Sequence, residues 1–531
     1  MGMGQTPLFI LRKGTTRERG KEAKLDNIFA ARAVADAVRS TLGPRGMDKM
    51  LVTSTGDVII TNDGATIAAD IDVQHPAARM MVEVAKAMDQ ECGDGTTTAM
   101  VLAGELLKKA EDLLELDLHP TVISRGYMIS AARALQRASE ISIPVHFEDV
   151  EMLRKVAMTA MMSKAVSGFR EHLADVAVAA VRTVAERRNG KTRVDLGNIH
   201  VVKRQGGSAV DTEIIRGMVL DRPPTLMSMP RKVEKARIAL LSGALEIKKT
   251  EVQASIEIND PSQLHAFLDA EEDMLRKMVA QIKQSGANVV ICGKGIDELE
   301  QHFLAKEGLM ALQKVSEQDL EKVAKATGGN IVDRPADLEE ADLGVCDEVE
   351  VQRIEGEDMT FITGCKNPTA VSLFIRGGSE HVLEEADRSL DDALNVTAVT
   401  LEDGKIVIGG GATAVELAMD LREFANSVGG REQLAIAAYA DALEVVPKAL
   451  AENAGMDPMD ILIELRRRHR AGARNEGVAV LHGGTADMSE LGVIEPLRLV
   501  RQEINSATDA AIMVVRIDDI ISSRGEEKKE K

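Results

Sequence analysis

Gly93-Asp94-Gly95-Thr96-Thr97-Thr98 separates two stretches whose apolar residues recur at helical spacing, Pro76 to Glu91 and Thr97 to Leu116. A carboxylate between two glycines, followed by three hydroxyls that lead into a helix, suits the holding of phosphate and a divalent cation. Glycines let backbone N–H groups approach an anion, hydroxyls donate hydrogen bonds, and the helix start adds about half a positive charge. Asp94 would then bind the cation rather than repel the phosphate. Three threonines also exceed what an N-cap requires. Upstream, Thr61-Asn62-Asp63-Gly64-Ala65-Thr66 forms a second Asp-Gly turn after the β-prone run Val58-Ile59-Ile60. Taken alone such a turn is usually structural, since Asp accepts local backbone hydrogen bonds and Gly adopts positive φ. Two of them, roughly thirty residues apart, can face one nucleotide.

The chain has 531 residues. That exceeds the roughly 250 to 300 at which one core stops growing, so two to four domains are expected. Hydrophobic residues make up 44% and charged ones 28%, which excludes a mainly disordered chain. With no Trp, 2 Tyr and 9 Phe, aliphatic residues and 25 Met must fill the cores. The scarcity of aromatics argues against base stacking, and the net charge of -20 against duplex binding, so no nucleic-acid partner is expected. Cys92, Cys292, Cys346 and Cys365 are too scattered for a zinc pair and too few for a disulfide framework. No run approaches a membrane span and the first residues lack a signal-peptide core, so no membrane association and a cytoplasmic location are expected.

Working outward, Ile28, Ala31, Val34, Ala35 and Val38 predict a helix over Asp26 to Leu42, stopped by Leu42-Gly43-Pro44-Arg45-Gly46. Helices are expected to continue to about Arg188, where Asn189-Gly190 breaks them. From Ile199 to Ala370 the period shifts. Runs such as Ile238 to Leu241, Ala287 to Cys292 and the following Val371 to Ile375 alternate with helices. Within this α/β middle, Leu264, Phe267, Leu268, Met274, Leu275 and Met278 follow helical spacing with acids between them, which predicts a core-facing helix with a solvated acidic face. After Glu402 helical character returns, opened by Gly409-Gly410-Gly411 and closed by the β-prone run Ala511 to Ile517. The charged tail Arg524 to Lys531 is expected to be disordered. If the flanking helical segments form one domain, the middle is an insertion.

Other candidate sites are weaker. Gly190-Lys191-Thr192 resembles the end of a Walker A loop, yet Ala185 stands where that motif needs Gly. There is no HExxH and no spaced histidine pair, so zinc is not expected. Leu390-Asp391-Asp392-Ala393-Leu394 sets two acids in an apolar helical context, and adjacent residues about 100° apart would turn one inward. An inward carboxylate can orient a water for phosphoryl transfer, whereas a solvated pair of acids is the plainer alternative. Gly409 to Gly411 either admits a nucleotide closely or makes a tight turn.

Six collinear segments, Leu42 to Lys49, Asn62 to Thr66, Gly93 to Thr98, Ser389 to Leu394, Gly409 to Gly411 and Glu495-Pro496-Leu497-Arg498, resemble the signature segments of the group II chaperonins. The likeness runs over roughly residues 20 to 520. It implies a multidomain α+β subunit. A mostly helical equatorial ATPase domain would comprise residues 1–146 and 402–523, and a small α/β intermediate hinge domain 147–214 and 368–401. An α/β apical domain, 215–367, would carry a helical protrusion at about 245–277 that serves as a lid, and 524–531 would be a tail.

By the same resemblance, Asp94 would hold Mg²⁺, and Gly95, Thr96, Thr97 and Thr98 would cradle the phosphates of ATP with Leu42, Gly43 and Pro44. Asp63 and Asp392 would position the hydrolytic water. Gly410 and Glu495 would line the adenosine end, and Lys164, after Ser163, would sense the γ-phosphate. Such subunits resemble those that stack in double rings of eight or nine, of one kind or of paralogues, and fold unfolded proteins in a closed chamber. The chain departs from the family's pattern at Ala160-Met161-Met162, Gln313-Lys314, Asp391, Ala479 and Gly484. None of these is a site carboxylate or a phosphate-loop glycine.

Overall fold

A computed structural model describes residues 15–52, 56, 58–71, 73, 75–163, 168–188, 190–247, 261–366 and 368–523. The chain divides into two compact units, one from residues 1–165 and 403–531, the other from 166–402. Residues 147–165 fall with the terminal segments in this division.

The first unit is a helical layer around an aliphatic core. Its helices include Gly20–Arg39, Pro76–Cys92, Thr96–Glu115, Pro120–Ile141, Ala412–Ser427, Glu432–Leu443 and Leu497–Arg516. Small residues set how closely they pack. A Cβ on Gly104 would lie 2.4 Å from that of Ala35, and one on Gly126 equally close to that of Ala435. Met81, Met88, Met100, Leu106 and Leu107 are fully buried, as the lack of aromatics requires. The chain's two tyrosines, Tyr127 and Tyr439, meet edge to face with centroids 5.4 Å apart. Tyr127 donates to the Leu106 carbonyl at 2.7 Å, and the Tyr439 and Thr508 hydroxyls share a bond of the same length. Both buried hydroxyls are thereby satisfied.

Small sheets in this unit deliver the turns. The antiparallel hairpin Lys49–Val52 and Val58–Thr61 runs into Asn62-Asp63-Gly64. A central strand, Lys405–Ile408, pairs with Ile143–Pro144 on one side and Ile494–Pro496 on the other, setting Val407 opposite Glu495 and leading into Gly409. The segments Thr15–Arg19 and Asp519–Ser523 pair antiparallel.

The second unit holds a seven-stranded mixed sheet. The order is Met310–Leu312, Val289–Cys292, Lys232–Leu241, Gly344–Ile354, Glu357–Thr363 and Gly217–Leu220, with Ile331–Val332 also pairing to Lys232–Leu241. Beside it a three-stranded sheet centres on Val371–Gly377, parallel to Ile199–Gln205 and antiparallel to Glu213–Ile215. The four cysteines are free and buried.

Two elements differ from expectation. Ala185–Arg188 is not helical but a strand paired with Lys191–Val194, Arg188 lying opposite Lys191. Asn-Gly is a helix breaker and also the preferred two-residue hairpin loop, and Gly190 has the φ of +75° that this loop requires. The same hairpin removes the Walker A resemblance, since no helix follows Lys191-Thr192. Ala511 to Arg516 is the end of a helix rather than a strand. Ala507, Ala510, Ala511, Val514 and Val515 are all buried at helical spacing, and that burial overrides β-branched propensity. Of the expected lid segment, 248–260 lies outside the described residues, as do the side chains of Leu264, Phe267 and Leu268. The helix Pro261–Gln284 follows, with Leu275, Val279 and Ile282 buried and Met274 exposed.

On the helix Glu298–Lys306, Glu300 is fully buried, and neither carboxyl oxygen has a partner among the described residues. Burial, and then nearby Asp297, pushes its carboxyl up to about 8. The folded state therefore keeps the proton after the unfolded chain has lost it. The stabilisation is fully present below about pH 4.5, and it is lost as pH rises through about 8. Amide exchange across Glu298–Lys306 is expected to accelerate over that window beyond its intrinsic base dependence, and Glu300→Gln is expected to abolish the excess.

Candidate functional site

The helix Pro76–Cys92 ends at Gly93, whose left-handed backbone returns its N–H to the Asp89 carbonyl. Asp94 follows and accepts from the Gly95 N–H through Oδ1 at 2.6 Å. Gly95, at φ +78°, is the N-cap of the helix Thr96–Glu115 and supplies no side chain to cap it. The first-turn N–H groups of that helix are therefore left for an outside acceptor, with the helix dipole behind them.

The second turn lies against the first. Asp63 caps the helix Gly64–Asp70: Oδ2 accepts from the Thr66 N–H at 2.9 Å and the Thr66 hydroxyl at 2.7 Å, and Oδ1 from Ala65 N–H at 3.4 Å. The carboxylate is thus fixed in direction. A Cβ on Gly64 would stand 2.5 Å from Thr97 Oγ1 and 3.0 Å from both Thr96 Oγ1 and the Thr97 nitrogen. Only a glycine lets the Asp63 turn lie this close to the threonines. Beside it, Asn62 Nδ2 donates to the Ser163 carbonyl at 2.5 Å, which draws Ser163 to the same place. Lys164 lies outside the described residues.

On the far side, Gly409 adjoins Glu495, whose Oε1 is 2.8 Å from where a Gly409 Cβ would be. Burial, and then the charge of Asp94, pushes the Glu495 carboxyl up to about 7. Glu495 thus links the Gly409–Gly411 turn electrostatically to the Asp94 loop. Gly410 and Gly411 adopt φ of +63° and +82°, with Met488 and Pro447 packed where side chains would go. Leu42 and Gly43 are held from the helix Val445–Asn453: Asn453 Nδ2 donates to the Leu42 carbonyl at 2.8 Å, and Leu450 fills the space beside Gly43. The Gly46 N–H closes a turn onto the Gly43 carbonyl over Pro44-Arg45.

Asp392 belongs to the other unit, on the helix Glu380–Asp403, where it is half-buried while Asp391 is exposed. A residue not anticipated is Glu503, on the helix Leu497–Arg516, whose Oε1 stands 2.8 Å from where a Gly95 Cβ would be and which is held well above the carboxylate range by burial, then Glu495 and Asp94. The signal lies in the sequence, because an acid three residues after Val500 and beside Ile504 falls on that helix's apolar face.

Among the described residues no group of three His, Cys, Asp or Glu is arranged to hold a metal by itself. Mg²⁺ brought with a nucleotide takes one or two carboxylates and completes its shell with phosphate and water. Asp94, the uncapped helix start and the Gly64 contact fit such a pair.

The sequence matches the TCP-1/cpn60 chaperonin family over residues 34–525. It is 52% identical over 524 residues to a thermosome subunit alpha of Archaeoglobus fulgidus, covering 99% of this chain and 96% of the relative. It is 53% identical over 523 residues to a thermosome subunit of Pyrococcus abyssi, with 98% and 95% covered. An open-state monomer of a group II chaperonin from Methanococcoides burtonii aligns at a TM-score of 0.60 and 42% identity, covering 80% of this chain and all of that one. The chain belongs to the TCP-1/cpn60 chaperonin family. Within it, the chain is a group II chaperonin.

Gly64→Ala would drive a methyl group into Thr97. The expected result is a destabilisation of about 1–3 kcal/mol with weakened ADP binding. A thermal melt and a calorimetric ADP titration check both, and a variant that melts and binds like the parent would show that the two turns separate freely.

Proposed function

We propose that this chain is a ring subunit that binds and hydrolyses ATP with Mg²⁺ and uses the resulting conformational change to enclose and fold unfolded proteins. The observation that carries this reading is the Gly64 contact, which presents two Asp-Gly turns to one uncapped helix N-terminus. Mg²⁺ held at Asp94 would neutralise phosphate charge. Gly95 and Thr96 to Thr98 offer backbone and hydroxyl donors, with Leu42, Gly43 and Pro44 as a second wall. Asp63, its direction set by the cap bonds, orients the hydrolytic water, and Asp392 is its partner in that role. Ser163 and Lys164 read the terminal phosphate. Gly410 and Glu495 complete the nucleotide site, Glu495 close enough to Asp94 to feel its charge.

The domain assignment proposed is equatorial for 1–146 and 402–523, intermediate for 147–214 and 368–401, and apical for 215–367 with the lid at about 245–277. Its support is the division of the chain into a unit holding both terminal segments and a unit holding the middle. Copies or paralogues would assemble in two stacked rings of eight or nine. In support of assembly, Met50, Val52, Val58 and Ile60 form one outward apolar face of the Lys49–Thr61 hairpin, with Met50 opposite Ile60 and Val52 opposite Val58. Among the described residues no helix is long and apolar enough to cross a membrane. A cytoplasmic location is proposed with that.

Asp63→Asn preserves a capping acceptor but removes the charge. It is expected to melt near the parent temperature yet lose at least about tenfold in phosphate release, as is Asp392→Ala. Parent-level phosphate release from either variant would remove that residue from the chemistry. Met50→Lys with Val52→Lys is expected to shrink the native mass to that of small assemblies while leaving the far-ultraviolet spectrum unchanged. A particle of parent mass would mean that this face is not a subunit contact.

A further inference from the structure

We propose that Thr159 is a positioning residue of the nucleotide site: it ties the segment Gly492–Glu495 to the turn that ends at Ser163, so that the nucleoside end of the site and the Asp63 turn keep a fixed separation. The inference rests on reading Glu495 and Asp63 as parts of one nucleotide site.

The strand Ile494–Pro496 pairs with Lys405–Ile408 on one edge, and among the described residues no strand pairs with its other edge. Gly409 donates to the Val493 carbonyl at 3.0 Å, so by antiparallel alternation Ile494, opposite Ile408, turns its N–H away from the sheet. Ile494 is buried, and that outward N–H needs an acceptor. Thr159, on the helix Val150–Ala160, supplies it: Oγ1 accepts from the Ile494 N–H at 3.2 Å. The hydroxyl proton has the Lys155 carbonyl at 2.9 Å and the Gly492 carbonyl at 3.3 Å as acceptors. Gly492, at φ +72°, has the Lys155 stem 3.3 Å from where its Cβ would be. The helix therefore lies directly on this segment.

The held segment bears on the nucleoside end, since Val493 holds Gly409 and Glu495 stands beside it. From Thr159 the chain runs without slack toward the other end of the site. The Met162 N–H donates to the Thr159 carbonyl at 3.1 Å, Met161 is fully buried, and the Ser163 carbonyl accepts from Asn62, the residue before Asp63, at 2.5 Å. Thr159 to Ser163 is thus a strut bonded at both ends. Thr159 acts through these neighbours rather than on the nucleotide.

The test uses the assembled full-length protein with Mg-ATP and ADP as the probes. T159V, which keeps the shape but not the acceptor, is expected to lower kcat for phosphate release about tenfold while weakening ADP binding no more than about threefold. T159S is expected to stay within about twofold of the parent in both. Asn62→Ala frees the other end of the strut, so adding it to T159V should lower kcat no further than the poorer single variant does. Parent kcat in T159V, equal losses in T159V and T159S, or losses that multiply in the double variant would each overturn the assignment. Should T159V fail to assemble, Asn62→Ala carries the test through amide exchange across Gly492–Glu495, which is expected to accelerate at least about threefold. Parent exchange there overturns the strut. A parent that neither binds ADP nor releases phosphate overturns the nucleotide reading itself, whereas an active parent with an indifferent T159V overturns only the role of Thr159.

Discussion

The proposed nucleotide site depends on one missing side chain. Because Gly64 has no Cβ, the turn that carries Asp63 can rest on Thr96 and Thr97 at the start of a 20-residue helix. That helix is in turn held at a fixed height by a second absence, Gly104 against Ala35 on the helix Gly20–Arg39. Cores packed this tightly transmit small displacements rather than absorb them. Asp63 and the uncapped donors of the Thr96 helix are therefore placed by the packing of the unit, not by local loop preference. The hydroxyls of Thr96 and Thr97 form the surface against which Gly64 rests, and on the proposed reading they would also donate to the bound anion.

The buried acids of this unit fall into two electrostatic kinds. Glu444 is fully enclosed, and burial alone would raise it, yet Arg422 and Arg466 hold it below its ordinary value. Glu416 is held at about 2 by His469 and Arg137 in spite of its burial. These are compensated charges that tie helices together. Glu495 and Glu503 are the opposite kind, since burial and then Asp94 raise Glu495, and burial, Glu495 and Asp94 raise Glu503. Acids so buried and so close to one another are costly to ionise, and the cation proposed at Asp94 would relieve that cost. Perturbation of this sort marks functional sites more often than structural ones.

What is legible in the sequence follows from how local each feature is. The Asp94 loop and its flanking helices can be read directly, because glycine, acid and hydroxyl act within six residues and the apolar period on either side is regular. The contact of Gly64 with Thr97 cannot be read from spacing, since it depends on how two helices pack. Ala511 to Ile517 shows the same limit for secondary structure: its β-branched residues favour a strand in isolation, and only the neighbouring core makes it helical. Asn189-Gly190 is ambiguous for another reason, because the same dipeptide ends helices and closes hairpins, and the pairing of Arg188 with Lys191 decides between them. Glu503 stands on a helix face whose apolar character is plain, but what its carboxyl meets there is written about four hundred residues upstream, at Gly95.

The proposed assembly face and the proposed nucleotide site share a strand. Val58–Thr61 presents Val58 and Ile60 outward on the apolar face of its hairpin, while on the other side Leu51 packs toward the helical core. One residue past its end, Asn62 holds the Ser163 carbonyl, and the N–H of Asp63 donates back to the Thr61 hydroxyl at 3.1 Å. A partner that covers the outward face must order this strand, and a nucleotide at Asp63 must order its last residues. On the proposed reading, either event would lower the entropy the other has to remove, which would couple the two equilibria, and by linkage the coupling would have the same size in both directions. Coupling of this origin needs no contact between nucleotide and partner. It needs only that four residues of strand be too short to be ordered at one end and loose at the other.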